Sequence, residues 1–342
     1  MSQKKTIRPR WAFAVTLAMF AMAASIVWPL SAEAQTRLDA SHQWPGGQGD
    51  VRDQMVQIVA DRAEEADVGL QVRVYPGASL YQPLEQWPAL SRGRLAITAL
   101  PLAYVGGRVP EVNLTLMPGL VRNHDHAQRI NESPFMERLE EIMLGHNVKV
   151  LAHTWLAGGF GSTEGCIVHP DDADGIDIRA AGSAFEQMLS EAGASIASMP
   201  SSEIYTGVQT GVLNAANTSS ASFVSFRLYE QLECVTPPGD YALWFMYQPI
   251  LMSTQIWDSL NEEQQAVLLE AGAEAQEFAY HAAIEADERF AEVYEENGRQ
   301  VAYMTEEDFE AWREIAERSA YANFVDDVEG GQELLDMALD VE

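Results

Sequence analysis

Leu70-Gln71-Val72-Arg73-Val74-Tyr75-Pro76-Gly77 alternates along its first part and then breaks at a Pro-Gly pair, the pattern of a half-buried strand ending in a turn. Upstream, Val51 to Glu65 places Met55, Ile58, Val59 and Ala63 at helical spacing. Before that, Thr36 to His42 reads as a strand closed by the Trp44-Pro45-Gly46-Gly47 turn. Downstream, Pro83 to Arg92 reads as a helix ending near Gly93, and Leu95 to Leu100 is apolar enough for a buried strand. Strand, helix, strand, helix, strand in that order implies parallel pairing and an α/β sheet covered on both faces.

A second run of the same kind starts at Val148. Val148 to Trp155 reads as a strand, and Gly175-Ile176-Asp177-Ile178-Arg179 as another at the entry to a second lobe. Ser183 to Ala192 is a helix ended by Gly193, Ser195 to Met199 a short strand, and Ser202 to Thr210 a helix. Gly211 to Ala215 turns into a further strand. The C-terminal part differs. Asn261 is an N-cap with Gln264 as its capping-box partner, and Leu268, Ala271, Ala275, Phe278, Ala282, Ala286, Phe290 and Val293 recur every three or four residues as far as Asn297-Gly298. Such a helix of about 35 residues spans about 50 Å at 1.5 Å per residue. That is longer than one small lobe, so the helix is expected to lie across two. The expected fold is therefore α/β and two-lobed, with the long helix lying across both lobes.

The chain opens with a targeting pattern. Lys4, Lys5, Arg8 and Arg10 precede an apolar run from Trp11 to about Ala24, and Ala32-Glu33-Ala34 is a small-x-small cleavage site. Residues 1–34 read as a signal peptide for the general secretion route, which places the product in the periplasm. Its removal takes four basic residues and Glu33 from totals of 21 and 51, leaving 17 basic against 50 acidic residues, a net charge of −33. Binding to nucleic acid or an anionic membrane needs clustered cations, so neither is an expected partner. Lys149 is the only lysine after residue 34. Any anionic ligand must be held by a specific local cation, because the global field opposes it. Cys166 and Cys234 sit in an oxidising compartment and either form a disulfide or stay as buried thiols.

Catalytic motifs are absent. There is no G-x-S-x-G elbow, no HExxH and no G-x-x-x-x-G-K-[ST], and no cofactor or metal site is expected. Gly158-Gly159-Phe160-Gly161-Ser162-Thr163 lacks the phosphate-binding lysine and reads as a hinge or cleft wall. His124-Asp125-His126 falls at a helix start after Asn123, where a solvated first turn is the simpler reading than a metal site. Arg179 ends an apolar strand, which would deliver a planar guanidinium able to grip a carboxylate with two parallel hydrogen bonds. On pattern alone a structural ion pair is the default for such a residue. Trp44, Trp155, Trp244 and Phe245 gather at strand ends, where ligand sites of open α/β sheets lie.

Ordered motifs then carry a resemblance. Asp172-Ala173-Asp174-Gly175-Ile176-Asp177-Ile178-Arg179, Gly193-Ala194-Ser195, Met199-Pro200, Glu203-Ile204-Tyr205, Gln209-Thr210-Gly211-Val212 and Phe226-Arg227-Leu228-Tyr229 follow one another. Tyr75-Pro76-Gly77-Ala78-Ser79-Leu80 and Trp257-Asp258-Ser259-Leu260 flank them. The chain resembles the DctP-type solute-binding proteins of TRAP transporters over nearly its whole length after residue 34. The resemblance implies a periplasmic-binding-protein-like fold of two α/β lobes bridged by the long helix, with residues 35–156 and 244–284 as lobe I and residues 157–243 and 285–342 as lobe II. It implies no enzymatic activity, and a membrane permease as partner. It also implies that Arg179 pairs with the carboxylate of a small organic acid, mono- or short dicarboxylate. Trp44, Trp155, Phe160, Asn217, Thr218, Trp244 and Phe245 would complete the binding site. Thr218 replaces an asparagine that touches ligand in some members, and Asn217 replaces a glutamate. The second arginine that sialic acid binders carry near Gly159 is missing. A binding protein of an ABC importer or a sensor is the alternative reading.

Overall fold

The computed structural model describes residues 35–342, so the targeting segment read at residues 1–34 lies outside the described residues. The first run reads β1 (Thr36–Ser41), α1 (Val51–Glu65), β2 (Leu70–Tyr75), α2 (Pro83–Ser91) and β3 (Ile97–Ala99). α3 (His124–Asn131) and α4 (Pro134–Gly145) lead into β4 (Val148–Ala152), and the chain then crosses into β5 (Trp155–Ser162). β6 (Asp177–Ala180), α5 (Ser183–Glu191), β7 (Ser195–Ser198), α6 (Ile204–Gln209), β8 (Ala215–Ser219) and α7 (Ser220–Ser225) make the second run. β9 (Cys234–Thr236) and β10 (Trp244–Tyr247) precede the return strand β11 (Ile250–Ser253). The chain ends with α8 (Thr254–Trp257), α9 (Glu262–Glu296), β12 (Gln300–Val301), α10 (Glu306–Ala316), α11 (Ala322–Asp327) and α12 (Gly331–Leu339).

Two sheets result. The first has the order β2-β1-β3-β11-β4, and the second β12-β9-β5-β8-β6-β7 with β10 added on β5. The runs of alternating strand and helix do pair in parallel, β1 with β2 and β3, β6 with β7 and β8. The strands on either side of the crossings, β5 and β11, run antiparallel to their neighbours, so both sheets are mixed. Val148 to Trp155 is therefore not one strand. It breaks at His153-Thr154, where the chain leaves the first sheet for the second. β10 pairs with β5 from Trp244 to Tyr247, so the return to the first sheet runs through Gln248 and Pro249 rather than starting at 244.

The glycine-rich run is not a hinge. Gly158, Gly159 and Gly161 lie inside β5, and a Cβ on Gly158 would strike the Thr218 carbonyl and the Trp244 ring, while one on Gly159 would strike the Thr236 carbonyl. Absence of side chains lets β8, β9 and β10 close on both sides of this strand. Helix α9 starts with the expected capping box: Gln264 N–H donates to the Asn261 side chain (2.9 Å), and Asn261 N–H to the Gln264 side chain (3.3 Å). Its Leu268, Ala271, Ala275, Ala279 and Ala283 pack in the core around β1 and α1. Phe290 and Tyr294, nearer its end, pack in the separate core around α6 and α7. One helix thus bridges both lobes, and its small side chains let it lie close, with Gly272 against the Leu151 carbonyl. Among the described residues no helix is long and apolar enough to cross a membrane.

Candidate functional site

Among the described residues two arginines are fully buried, Arg52 and Arg179, and they differ in how they are compensated. Arg52, in the first turn of α1, uses every N–H it has. Nε and Nη2 grip Asp50 (2.8 and 2.7 Å), Nη1 donates to Ser219 Oγ (2.8 Å) and Gln248 Oε1 (3.1 Å), and Nη2 also donates to Ser222 Oγ (3.1 Å). Arg179, on β6, has no carboxylate within ion-pair distance. Its Nε donates to the Met199 carbonyl (2.9 Å), Nη1 to the Asn217 carbonyl (2.7 Å) and Nη2 to Tyr104 Oη (3.0 Å). A guanidinium has five N–H groups, so one on each Nη remains uncommitted. Burial pulls its pKa below the ordinary value, with Tyr104, Glu186 and Glu203 opposing. An arginine keeps its charge even so. A buried, uncompensated cation is costly unless something anionic pairs with it.

The surrounding contacts close a circuit through both sheets. Arg179 Nη2 meets Tyr104 Oη, toward which Gln43 Nε2 also points at 3.4 Å. Gln43 precedes Trp44, whose ring carries the Arg52 guanidinium 4.3 Å above its centroid. Arg52 reaches Ser219, two residues along β8 from Asn217, whose carbonyl returns to Arg179. Some of the buried polar atoms without a partner lie on this circuit: Gln43 Oε1, Trp44 Nε1 and both side-chain atoms of Asn217, with Trp244 Nε1 beside them. Buried polar groups are normally satisfied, so these atoms are open to a polar partner. A cavity of about 300 Å³ opens next to it, bounded by Tyr104, Ala180, Gly182, Met199 and Pro200. A slightly larger one, about 340 Å³, lies among α1, α7 and α9, but its arginine, Arg289, is already paired with Glu292 and Glu296.

The residues singled out from sequence divide into two groups. Arg179, Trp44 and Asn217 are on the circuit. Trp244 is next to it: its register partner Gly158 is also paired with Ser219. Phe160 is the cross-strand partner of Asn217 and stacks on Trp312 (5.4 Å), while Thr218 is buried one residue along, across from Gly159. Trp155 donates Nε1 to Asn131 Oδ1 (2.8 Å) and packs on Tyr247, and Phe245 meets His124 edge-on (5.2 Å). Tyr104, Gln43 and Arg52 were not singled out. Gln43 directly follows the first strand, where the strand-end rule that marked Trp44 applies equally. Tyr104 was hidden in the apolar stretch after β3, and nothing in the pattern separates it from core.

Other candidates are engaged elsewhere. His124 pairs with Asp287 (2.7 Å). His126 accepts from Arg122 N–H through Nδ1 (3.1 Å), and its Nε2 bonds the Val341 carbonyl (2.9 Å). These histidines tie α3 to α9 and to the C-terminus. Cys166 and Cys234 are joined by a disulfide, with Cα atoms 5.1 Å apart.

Comparison with known proteins agrees with this architecture. Residues 41–326 match the family of bacterial extracellular solute-binding proteins, family 7. A solute-binding protein of Albidiferax ferrireducens is 37% identical over 325 residues, covering 94% of this chain and 96% of its own. The C4-dicarboxylate-binding periplasmic protein of Rhodobacter capsulatus is 23% identical over 249 residues, 72% of this chain and 74% of its own. The crystal structure of a TRAP periplasmic solute-binding protein from Rhodoferax ferrireducens with bound malonate superposes with a TM-score of 0.86 at 36% identity, over 89% of this chain and 98% of that one. These relatives are receptors rather than enzymes. With its two bridged sheets and its family match, the chain belongs to the family-7 bacterial extracellular solute-binding proteins and is a periplasmic TRAP solute-binding protein of the DctP type.

Proposed function

We propose that this protein captures a small organic carboxylate through Arg179 in the cleft between its lobes and delivers it to a TRAP membrane permease. The observation that carries the reading is the contrast between the two buried arginines. Arg52 has its acid within the chain, whereas Arg179 is aimed by carbonyls and a phenol and keeps N–H groups for an anion supplied from outside. In a chain this acidic, a buried cation without an acid of its own is also the feature that overcomes the repulsive global field.

Malonate, held by the Rhodoferax relative, brings a short dicarboxylate to this site as the first ligand to try. Arg179 would take one carboxylate, with Asn217 and the indole N–H groups of Trp44 and Trp244 as neutral donors for the rest of the molecule. Gly159 leaves no room for a second arginine on β5, which disfavours sialic acid. The lobes are proposed as residues 35–154 with 248–284, and 155–247 with 285–342. A ligand touching both favours their closed arrangement by its differential affinity.

A thermal-shift screen of malonate, succinate and monocarboxylates tests the reading. A ligand at 100 times its dissociation constant adds about 2.7 kcal/mol of stability. Arg179→Ala should erase the shift. If no acid stabilises the wild type, or if Arg179→Ala binds the active acid as tightly, the reading is wrong.

A further inference from the structure

Tyr104 connects the two lobes at the point where the carboxylate would sit. It lies in a short turn, Leu102–Val105, directly after β3 of the first sheet, and it is only partly buried. Its hydroxyl faces two N–H donors from the second lobe, Arg179 Nη2 at 3.0 Å and the main-chain N–H of Ser201 at 2.9 Å. Gln43 Nε2, from the end of the first strand, approaches the same oxygen at 3.4 Å. Arg179 in turn holds the Met199 carbonyl through Nε, so the Met199-Pro200-Ser201 segment is pinned at both ends. No other hydroxyl among the described residues accepts a hydrogen bond from Arg179.

From this we infer that Tyr104 is a positioning residue that couples carboxylate capture by Arg179 to closure of the lobes, a role that rests on the carboxylate reading above. The physical reason lies in the donor count. With Nε and Nη1 committed to carbonyls of the second lobe, Nη2 is the guanidinium nitrogen whose partner comes from the first lobe. When the lobes meet, Tyr104 Oη occupies one Nη2 hydrogen and fixes where the remaining one points. The Ser201 contact holds the phenol against the same lobe independently of the ligand. Ligand bound at Arg179 and the Tyr104 contact thus favour the same arrangement, and each strengthens the other.

The test uses the full mature chain, Tyr104→Phe, and malonate as probe, followed by calorimetry and by stopped-flow tryptophan fluorescence. The ring stays and only the hydroxyl is lost. Malonate affinity is expected to fall about tenfold or more, as loss of a hydrogen bond to a charged group implies. The loss should appear as faster dissociation with little change in association, because the contact forms after encounter. Small-angle scattering should show weaker compaction on adding malonate. The melting temperature without ligand should stay near that of wild type. Unchanged malonate affinity overturns the inference while leaving the carboxylate reading intact. So does an unliganded melting temperature that drops as far as the liganded one, which would make the hydroxyl merely structural. Wild type that binds none of the acids overturns both, and Arg179→Ala in the same assay shows which residue the binding depends on.

Discussion

Arg179 Nη1 donates to the main-chain carbonyl of Asn217 at 2.7 Å, while the side-chain amide of that same asparagine is buried with neither of its polar atoms partnered. The strand neighbour orients the cation through its backbone and leaves its amide free. Because β6 and β8 run in parallel with Arg179 in register with Ala216, this geometry is set by the sheet and does not depend on a flexible loop. It separates what the site needs for binding from what the fold needs for stability, and the two should respond oppositely to mutation.

Arg179→Met is the sharpest case. Removing an uncompensated buried charge should leave the unliganded protein as stable as wild type or more so. Malonate binding should weaken roughly 30-fold or more, since truncating one partner of a buried charge pair costs about 2–5 kcal/mol. Melting curves with and without malonate measure both effects, and a lower melting temperature in the absence of ligand would count against the site.

Asp50→Ala should do the reverse. It leaves Arg52 buried without its acid and strips the N-cap of α1, so a loss of about 3–5 kcal/mol is expected in urea unfolding. Adding Arg52→Met should recover part of that loss, because the stranded charge disappears. A double mutant less stable than Asp50→Ala would refute the pairing argument.

Gly159→Ala should cost about 1–3 kcal/mol by overpacking, because the atoms it meets are the Thr236 carbonyl and Pro237 backbone, which cannot rotate away. Gly145→Ala, at the end of α4 with nothing near its added Cβ, is the control and should be neutral or stabilise by up to about 1 kcal/mol. Equal effects from the two would contradict the close strand packing described for β5.

Asp53 predicts an acid dependence. Burial raises its pKa, but hydrogen bonds from His42, the Gly47 N–H and Gln57 outweigh burial, and the carboxyl ends below its ordinary 3.8. A lowered folded pKa means that this stabilisation is present above 3.8 and is lost as pH falls through the folded value. Asp53→Asn should therefore flatten the drop in melting temperature below about pH 4 relative to wild type. Parallel acid profiles for the two proteins would remove Asp53 from the account.

Much of the fold was legible because it is written in local periodicity. Val51 to Glu65 and Leu70 to Tyr75 became α1 and β2 with those bounds, and Asn261 with Asn297 capped the long helix at both ends. Periodicity also had limits. Val148 to Trp155 carries no glycine or proline to signal a break, and only the separation of the sheets puts one at the polar pair His153-Thr154. The glycines of β5 read as a hinge or a cleft wall from sequence because glycine serves flexible turns and tight strand packing alike.

For the site, the sequence alone determined that an arginine stands at a strand end in an acidic chain, and that a long helix must span two lobes. It did not show how each guanidinium is compensated once buried. The acid of Arg52, Asp50, is its neighbour two residues back, but the partners of Arg179 (Met199, Asn217 and Tyr104) are distant in the chain, and only the tertiary structure brings them to it. The compensation of a buried charge is a property of its surroundings, and those surroundings form only when the sheets and the bridging helix come together.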